Sequence, residues 1–159
     1  MLHVWQVIRS RLASAGLTLW LAIVLYAVSH FLPVTRLLDQ WLLGWEASIS
    51  TAEIAAETLW RGKHEWRFVF GWLPNLWFWL GVACWLIGRR RNRRLAGIGT
   101  GLAGLAGVAC ASLWLIDAGN DDTLSVGYYG WLASMALLSW SGFGLLRRRH
   151  LPKSGLEID

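Results

Sequence analysis

Four stretches of the chain carry no Asp, Glu, Lys or Arg: Leu12 to Thr35, Phe68 to Gly88, Leu95 to Ile116 and Thr123 to Leu146. A helix needs about 20 apolar residues to cross a hydrocarbon core about 30 Å thick. A barrel strand would alternate polar and apolar positions, and these runs do not. Helix is therefore the structure that satisfies its own backbone groups along them inside lipid. The pattern predicts an all-α, polytopic integral membrane protein with four transmembrane helices. The expected spans are 12–34, 68–88, 95–116 and 124–146, in a single membrane domain over 1–159. Between and after them come an outer loop at 35–67, a cytoplasmic loop at 89–94 and a cytoplasmic tail at 147–159. The first run is longer than the roughly 7–15 apolar residues of a cleaved signal peptide, so it is expected to be a retained anchor.

A different rhythm occupies the outer loop. Leu38, Trp41, Leu42, Trp45 and Ile49 recur at spacings of three and four, while Asp39, Glu46, Ser50 and Glu53 fall mainly on the other side. That is the signature of an amphipathic helix, here extracytoplasmic, following a first span stopped by Pro33. A second helical piece is expected from about Thr51 to Trp60. The polar face is acidic where lipid-surface helices are usually basic, which favours packing on protein.

Composition agrees with this picture. Hydrophobic residues make up 55% of the 159 positions and charged ones 16%, with a mean hydropathy of +0.41. A soluble domain carries roughly 25% charge, so the composition argues against an ordinary soluble fold and against a disordered chain.

The charges then orient the helices. Arg9, Arg11, the five arginines Arg89, Arg90, Arg91, Arg93 and Arg94, and the tail's Arg147, Arg148, Arg149 and Lys153 fall on one side with two acids. The other side holds four basic residues and eight acids. The positive-inside rule puts the arginine loop and both termini in the cytoplasm, at an inner (plasma) membrane. Basic clusters placed directly at span ends are best suited to lipid headgroup contact, and no nucleic acid is expected as partner. The 13 tryptophans fit a bilayer too. Trp20, Trp72, Trp85 and Trp114 fall towards span ends, where an indole N–H meets the headgroup region, and Trp77, Trp79, Trp131 and Trp140 lie deeper. An aromatic cluster of this kind is able to hold a quinone, a lipid or a pigment, although anchoring and packing account for it more simply.

Candidate chemistry is sparse. No charged residue is expected near the bilayer centre, which counts against proton pumps and ion-coupled transporters. Small multidrug antiporters also have four helices, but their membrane glutamate has no counterpart here. His30 is the one titratable group within a span, and it lacks a second histidine at its depth for haem. Glu53, Glu57, His64 and Glu65 form the one grouping that resembles a metal or acid–base site, without a distinctive ligand spacing. Cys84 and Cys110 are expected to be packing residues. No cofactor and no metal are expected.

Two features stand out inside the spans. Gly97, Thr100, Gly101, Gly104, Gly107 and Ala111 form a small-residue face for close helix packing, within the chain or against a second subunit. Pro74 and Asn75 predict a kink or broken first turn, or a polar membrane site, with Asn75 serving a freed carbonyl or a neighbouring helix. The leading expectation is a non-enzymatic accessory or assembly subunit of a larger inner-membrane complex. Its partners would be the lipid bilayer and other membrane subunits, met through helix–helix and outer-loop contacts. The alternatives are a small homo-oligomeric channel or carrier for a lipid or hydrophobic solute, and a membrane enzyme using His30 or the outer-loop Glu/His group.

Overall fold

The computed structural model describes residues 15–37, 40–62, 66–117 and 124–147. In chain order the elements are α1 (Ala15–His30), β1 (Pro33–Leu37), β2 (Gln40–Leu43), α2 (Gly44–Arg61), α3 (Trp66–Arg91), α4 (Arg93–Asp117) and α5 (Val126–Arg147). Helices hold 88% of the described residues, so the chain is all-α and its hairpin is an appendage. The helices α3 and α4 are long and apolar enough to cross a membrane, over Phe68–Arg91 and Arg93–Trp114. At 1.5 Å per residue they extend about 39 and 37 Å, more than the hydrocarbon core requires. Their outward faces are greasy: Leu76, Trp79, Leu80, Leu86 and Ile87 on α3, and Leu95, Leu102, Leu105, Leu113 and Ile116 on α4, are exposed.

A single residue, Asn92, joins these two helices. Its Oδ1 accepts the backbone N–H groups of Arg94 (3.1 Å) and Leu95 (3.2 Å), the N-cap arrangement. The segment 89–94, expected as a loop, is thus helical on both sides of Asn92. Arginine is a good helix former, so once asparagine supplies the cap there is no reason for the chain to unwind further. Arg89, Arg90 and Arg91 also sit in the last turn of α3, where positive charge suits the helix dipole.

Four helices pack side by side and antiparallel, by two different means. The pair α4 and α5 meets through glycines. A Cβ at Gly104 would lie 2.5 Å from the Ser139 backbone nitrogen, and one at Gly97 2.8 Å from the Gly142 carbonyl. The pair α1 and α3 meets through rings instead: Tyr26 stacks on Phe78 at 4.0 Å and 7°, with Trp79 edge-on to both. Leu19, Ala22, Val82, Trp85, Met135 and Leu138 complete the buried core around them.

At the end opposite Asn92, α1 gives way to the hairpin. Phe31 and Leu32 close the helix with N–H bonds to the carbonyls of Val28 and Ser29. Pro33 then starts β1, which pairs antiparallel with β2 in the register Thr35↔Leu42, Arg36↔Trp41 and Leu37↔Gln40, with a bulge between Pro33 and Thr35. Proline and the β-branched Val34 and Thr35 favour extended backbone here. The hairpin is tied to the start of α5 by the Ser125 N–H to Val34 carbonyl bond, 3.0 Å.

This corrects the expected amphipathic helix. Trp41 and Leu42 lie on β2, Leu38 lies outside the described residues, and the helix starts at Gly44 and runs unbroken to Arg61. Its start is fixed by close approach: a Cβ at Gly44 would stand 2.5 Å from the Ser29 carbonyl oxygen. The Glu46 carboxylate accepts the Leu43 N–H at 2.9 Å, and Gly62 ends the helix at φ +66°. The face of α2 turned to the bundle is also not the one the periodicity suggests. Small residues, Gly44, Ala55 and Thr58, are buried, while Trp45 and Ile49 are about half exposed. Small side chains let the helix lie closer than its tryptophan face would.

Candidate functional site

Beneath α2 lies a cavity of about 290 Å³ that touches every element. Ser29 and His30 come from the end of α1, Val34, Thr35, Arg36 and Leu42 from the hairpin, and Ala47, Ser48, Thr51 and Ile54 from α2. Phe68, Gly71 and Asn75 of α3, Trp114 of α4, and Tyr128 and Trp131 of α5 form the floor and far wall. At this end α4 meets α5 through Trp114 and Tyr128, whereas Gly97, Gly101 and Gly104 draw the same two helices together at the other.

Asn75 is fixed by two partners. Its Oδ1 accepts the Tyr26 hydroxyl at 2.8 Å and the Trp131 indole N–H at 3.1 Å, so it links α1, α3 and α5. An indole nitrogen donates only, which settles which way the amide faces. The Nδ2 group has no partner among the described residues. One turn beyond Tyr26, His30 Nδ1 lies 2.9 Å from the Tyr26 carbonyl, and its ring packs against the Tyr26 ring at 4.5 Å. A carbonyl oxygen accepts, so Nδ1 carries a proton. His30 Nε2 looks towards Ser48 Oγ at 3.5 Å.

Two of the residues singled out from sequence, His30 and Asn75, thus share this cavity. Pro74 sits fully buried at the ninth position of α3, and the helix continues on both sides of it. The expected broken first turn is therefore not formed, because α3 begins eight residues earlier, at Trp66. Asn75 bonds to neighbouring helices.

The small-residue face is used within the chain. Gly97 faces Gly142 and Leu146, Gly101 faces the Phe143 ring, Gly104 faces Ser139 and Gly107 faces Met135. Thr100 Oγ1 donates to the Gly81 carbonyl of α3 at 3.0 Å, and the Ala111 carbonyl accepts the Tyr128 hydroxyl at 2.8 Å. Cys84 and Cys110 are free and partly buried.

At the Asn92 end, Arg89, Arg90, Arg91, Arg93 and Arg94 are all exposed. The Arg89 guanidinium lies over the Trp85 ring at 4.8 Å, a cation–π contact. Arg147 is the last residue of α5, and Arg148 and Arg149 lie outside the described residues. In the outer-loop group, Glu53 and Glu57 are exposed on α2, with Glu57 3.8 Å from Arg61, while His64 and Glu65 lie outside the described residues. Among the described residues no cluster of His, Cys, Asp or Glu is arranged to hold a metal.

The cavity itself has only a faint mark in the sequence. The signal that carried it is the run Gly44, Ser48, Thr51, Ala55, Thr58, a small and hydroxyl-bearing stripe at helical spacing. No protein-family model, curated protein or solved structure matches the chain.

Proposed function

We propose that the chain is a four-span membrane protein that binds the head of a small amphiphile in its hairpin-end cavity, without catalysis. The observation that carries this reading is the cavity of about 290 Å³, apolar on Val34, Leu42, Ile54 and Phe68 and polar at His30, Arg36, Ser48 and Asn75. Ligand sites are mostly apolar pockets with a few fixed polar groups, and this one is at the small end of their range. In the proposed topology the arginine end faces the cytoplasm and α1 and α5 span together with α3 and α4. The charge bias and the exposed apolar faces of α3 and α4 support that arrangement. The cavity then opens at the level of the outer headgroups, where an amphiphile enters head first.

The expected role as an assembly subunit stands as the second reading. Its glycine face is occupied by α5, so it now draws on the exposed Trp45, Ile49, Leu59 and Trp60 of α2. The test is native mass spectrometry of the full chain extracted with its lipids. One amphiphile per chain is expected, and Ile54→Trp, which fills the cavity, should remove it. A bare wild-type chain, or a chain whose bound molecule is indifferent to Ile54→Trp, refutes the binding reading. A second polypeptide recovered in fixed ratio favours the assembly role. For topology, a single cysteine at Arg91 in a Cys84- and Cys110-free background should react with an impermeant maleimide only after the cells are opened.

A further inference from the structure

Helix α2 has three sides where a helix packed on protein in water has two. At about 100° per residue, all 18 of its positions fall into three separate arcs. The first carries Gly44, Ser48, Thr51, Ala55 and Thr58 and lies on the bundle, with Gly44, Ala55 and Thr58 buried. The second carries Glu46, Ser50, Glu53, Glu57 and Arg61, without an apolar residue among them. The third carries Trp45, Ile49, Ala52, Ala56, Leu59 and Trp60, without a polar one. On this third side Trp45, Ile49 and Leu59 are exposed, and Trp60 is 91% exposed. A buried side and a polar side suffice for a helix between a protein core and water. A third side, apolar and uncovered, calls for a third environment.

The neighbouring elements show the same exposure. Phe31 after α1, Trp41 on β2, Trp66 at the start of α3 and Tyr129 in the first turn of α5 are also exposed at the hairpin end. Tryptophan and tyrosine favour the headgroup level of a bilayer, where the ring meets acyl chains and the polar tip meets water. Resting on the four-span reading above, we infer that α2 is seated in the outer interfacial layer of the membrane. Its Trp45, Ile49 and Trp60 side lies on lipid, its small side on the bundle and its charged side in the outer water. The acids do not oppose this seating. Helices held on a membrane by charge carry a basic side. Here α2 is held by packing on α3, and on its charged side Glu57 pairs with Arg61 at 3.8 Å. The seating therefore needs no anionic lipid.

The test uses the full chain in phosphatidylcholine nanodiscs, with single cysteines carrying a nitroxide in a Cys84- and Cys110-free background. Ile49→Cys and Ala56→Cys report the apolar side of α2, and Glu53→Cys and Glu57→Cys its charged side. Leu80→Cys and Leu105→Cys report the exposed faces of α3 and α4. Collision with oxygen, which concentrates in lipid, is compared with collision with a water-soluble nickel chelate. Oxygen should win severalfold at Ile49 and Ala56, and the order should reverse at Glu53 and Glu57. All six positions are exposed, and two labels on each side keep the comparison intact if one variant does not fold. A nickel preference at Ile49 and Ala56 puts that side in water and overturns the inference. Shielding of both labels from both reagents overturns it too, because protein, such as a second copy of the chain, then covers the stripe. Oxygen preference on the charged side as well would sink α2 into the hydrocarbon and equally overturn it. In each of these cases an oxygen preference at Leu80 and Leu105 leaves the four-span reading standing. A nickel preference at Leu80 and Leu105 overturns that reading and the seating of α2 with it.

Discussion

The two ends of the α4–α5 pair differ in one variable, the volume of the side chains between them. Towards Asn92, Gly97, Gly101, Gly104 and Gly142 bring backbone against backbone, and Ser139 Oγ bonds directly to the Gly101 carbonyl at 3.1 Å. Towards the hairpin, Trp114 faces Tyr128 at 5.5 Å between ring centres and Tyr128 faces Trp131 at 5.9 Å. The first end is close-packed through its glycines. The second keeps a space that α2 covers with small residues. One helix pair thus supplies both a clamp and a chamber, and glycine against tryptophan decides which.

That contrast fails or hardens on four substitutions. The largest effect is expected for Gly104→Val, whose Cβ would run into the Ser139 backbone nitrogen, Cα and Cβ, none of which is the end of a flexible side chain. It should cost about 3 kcal/mol, read as a fall in the unfolding midpoint in detergent. A midpoint equal to wild type would mean the clamp is not close-packed. Asn75→Leu comes next. It strands the Tyr26 hydroxyl and the Trp131 N–H, and should lose about 2 kcal/mol in the same assay. Tyr128→Phe removes one bond to the Ala111 carbonyl from a buried ring and should cost about 1 kcal/mol. If Asn75→Leu proves no worse than Tyr128→Phe, Asn75 does not organise the chamber. The smallest change is predicted for Gly130→Ala. Its Cβ would meet Ser29 and Leu25 at 3.6 and 3.8 Å, ordinary contact, so the better helix propensity of alanine should raise the midpoint by up to about 1 kcal/mol. Gly104 and Gly130 should therefore respond to enlargement with opposite signs.

Sequence periodicity located the long helices because an uninterrupted apolar run has one physical meaning in lipid. It gave the small-residue face of α4 as well, since Gly97, Gly101 and Gly104 leave no other reason for so much lost side chain. What it could not assign was the partner of that face, which depends on Gly142 and Ser139, about 40 residues on. The outer loop departs from its local spacing for a related reason. Trp41 and Trp45 fit a helix by spacing, yet Pro33 and the pairing of Thr35 with Leu42 take the first part into a hairpin. Long-range pairing overrides local spacing there. The importance of Asn75 was visible as a polar residue beside proline. Its two partners, Tyr26 and Trp131, lie 49 and 56 residues away and carry no local mark.

The one-residue tie at Asn92 has a mechanical corollary. Two rods fastened so tightly at one tip, with Gly88 against Ala96 and Thr100 on the Gly81 carbonyl, have no slack to slide past each other like pistons. Were the cavity to take up the proposed guest, the movement would fall to the elements at the far tip. Gly62, left-handed and with no described residue within 4 Å of where its Cβ would stand, is the place for α2 to turn about.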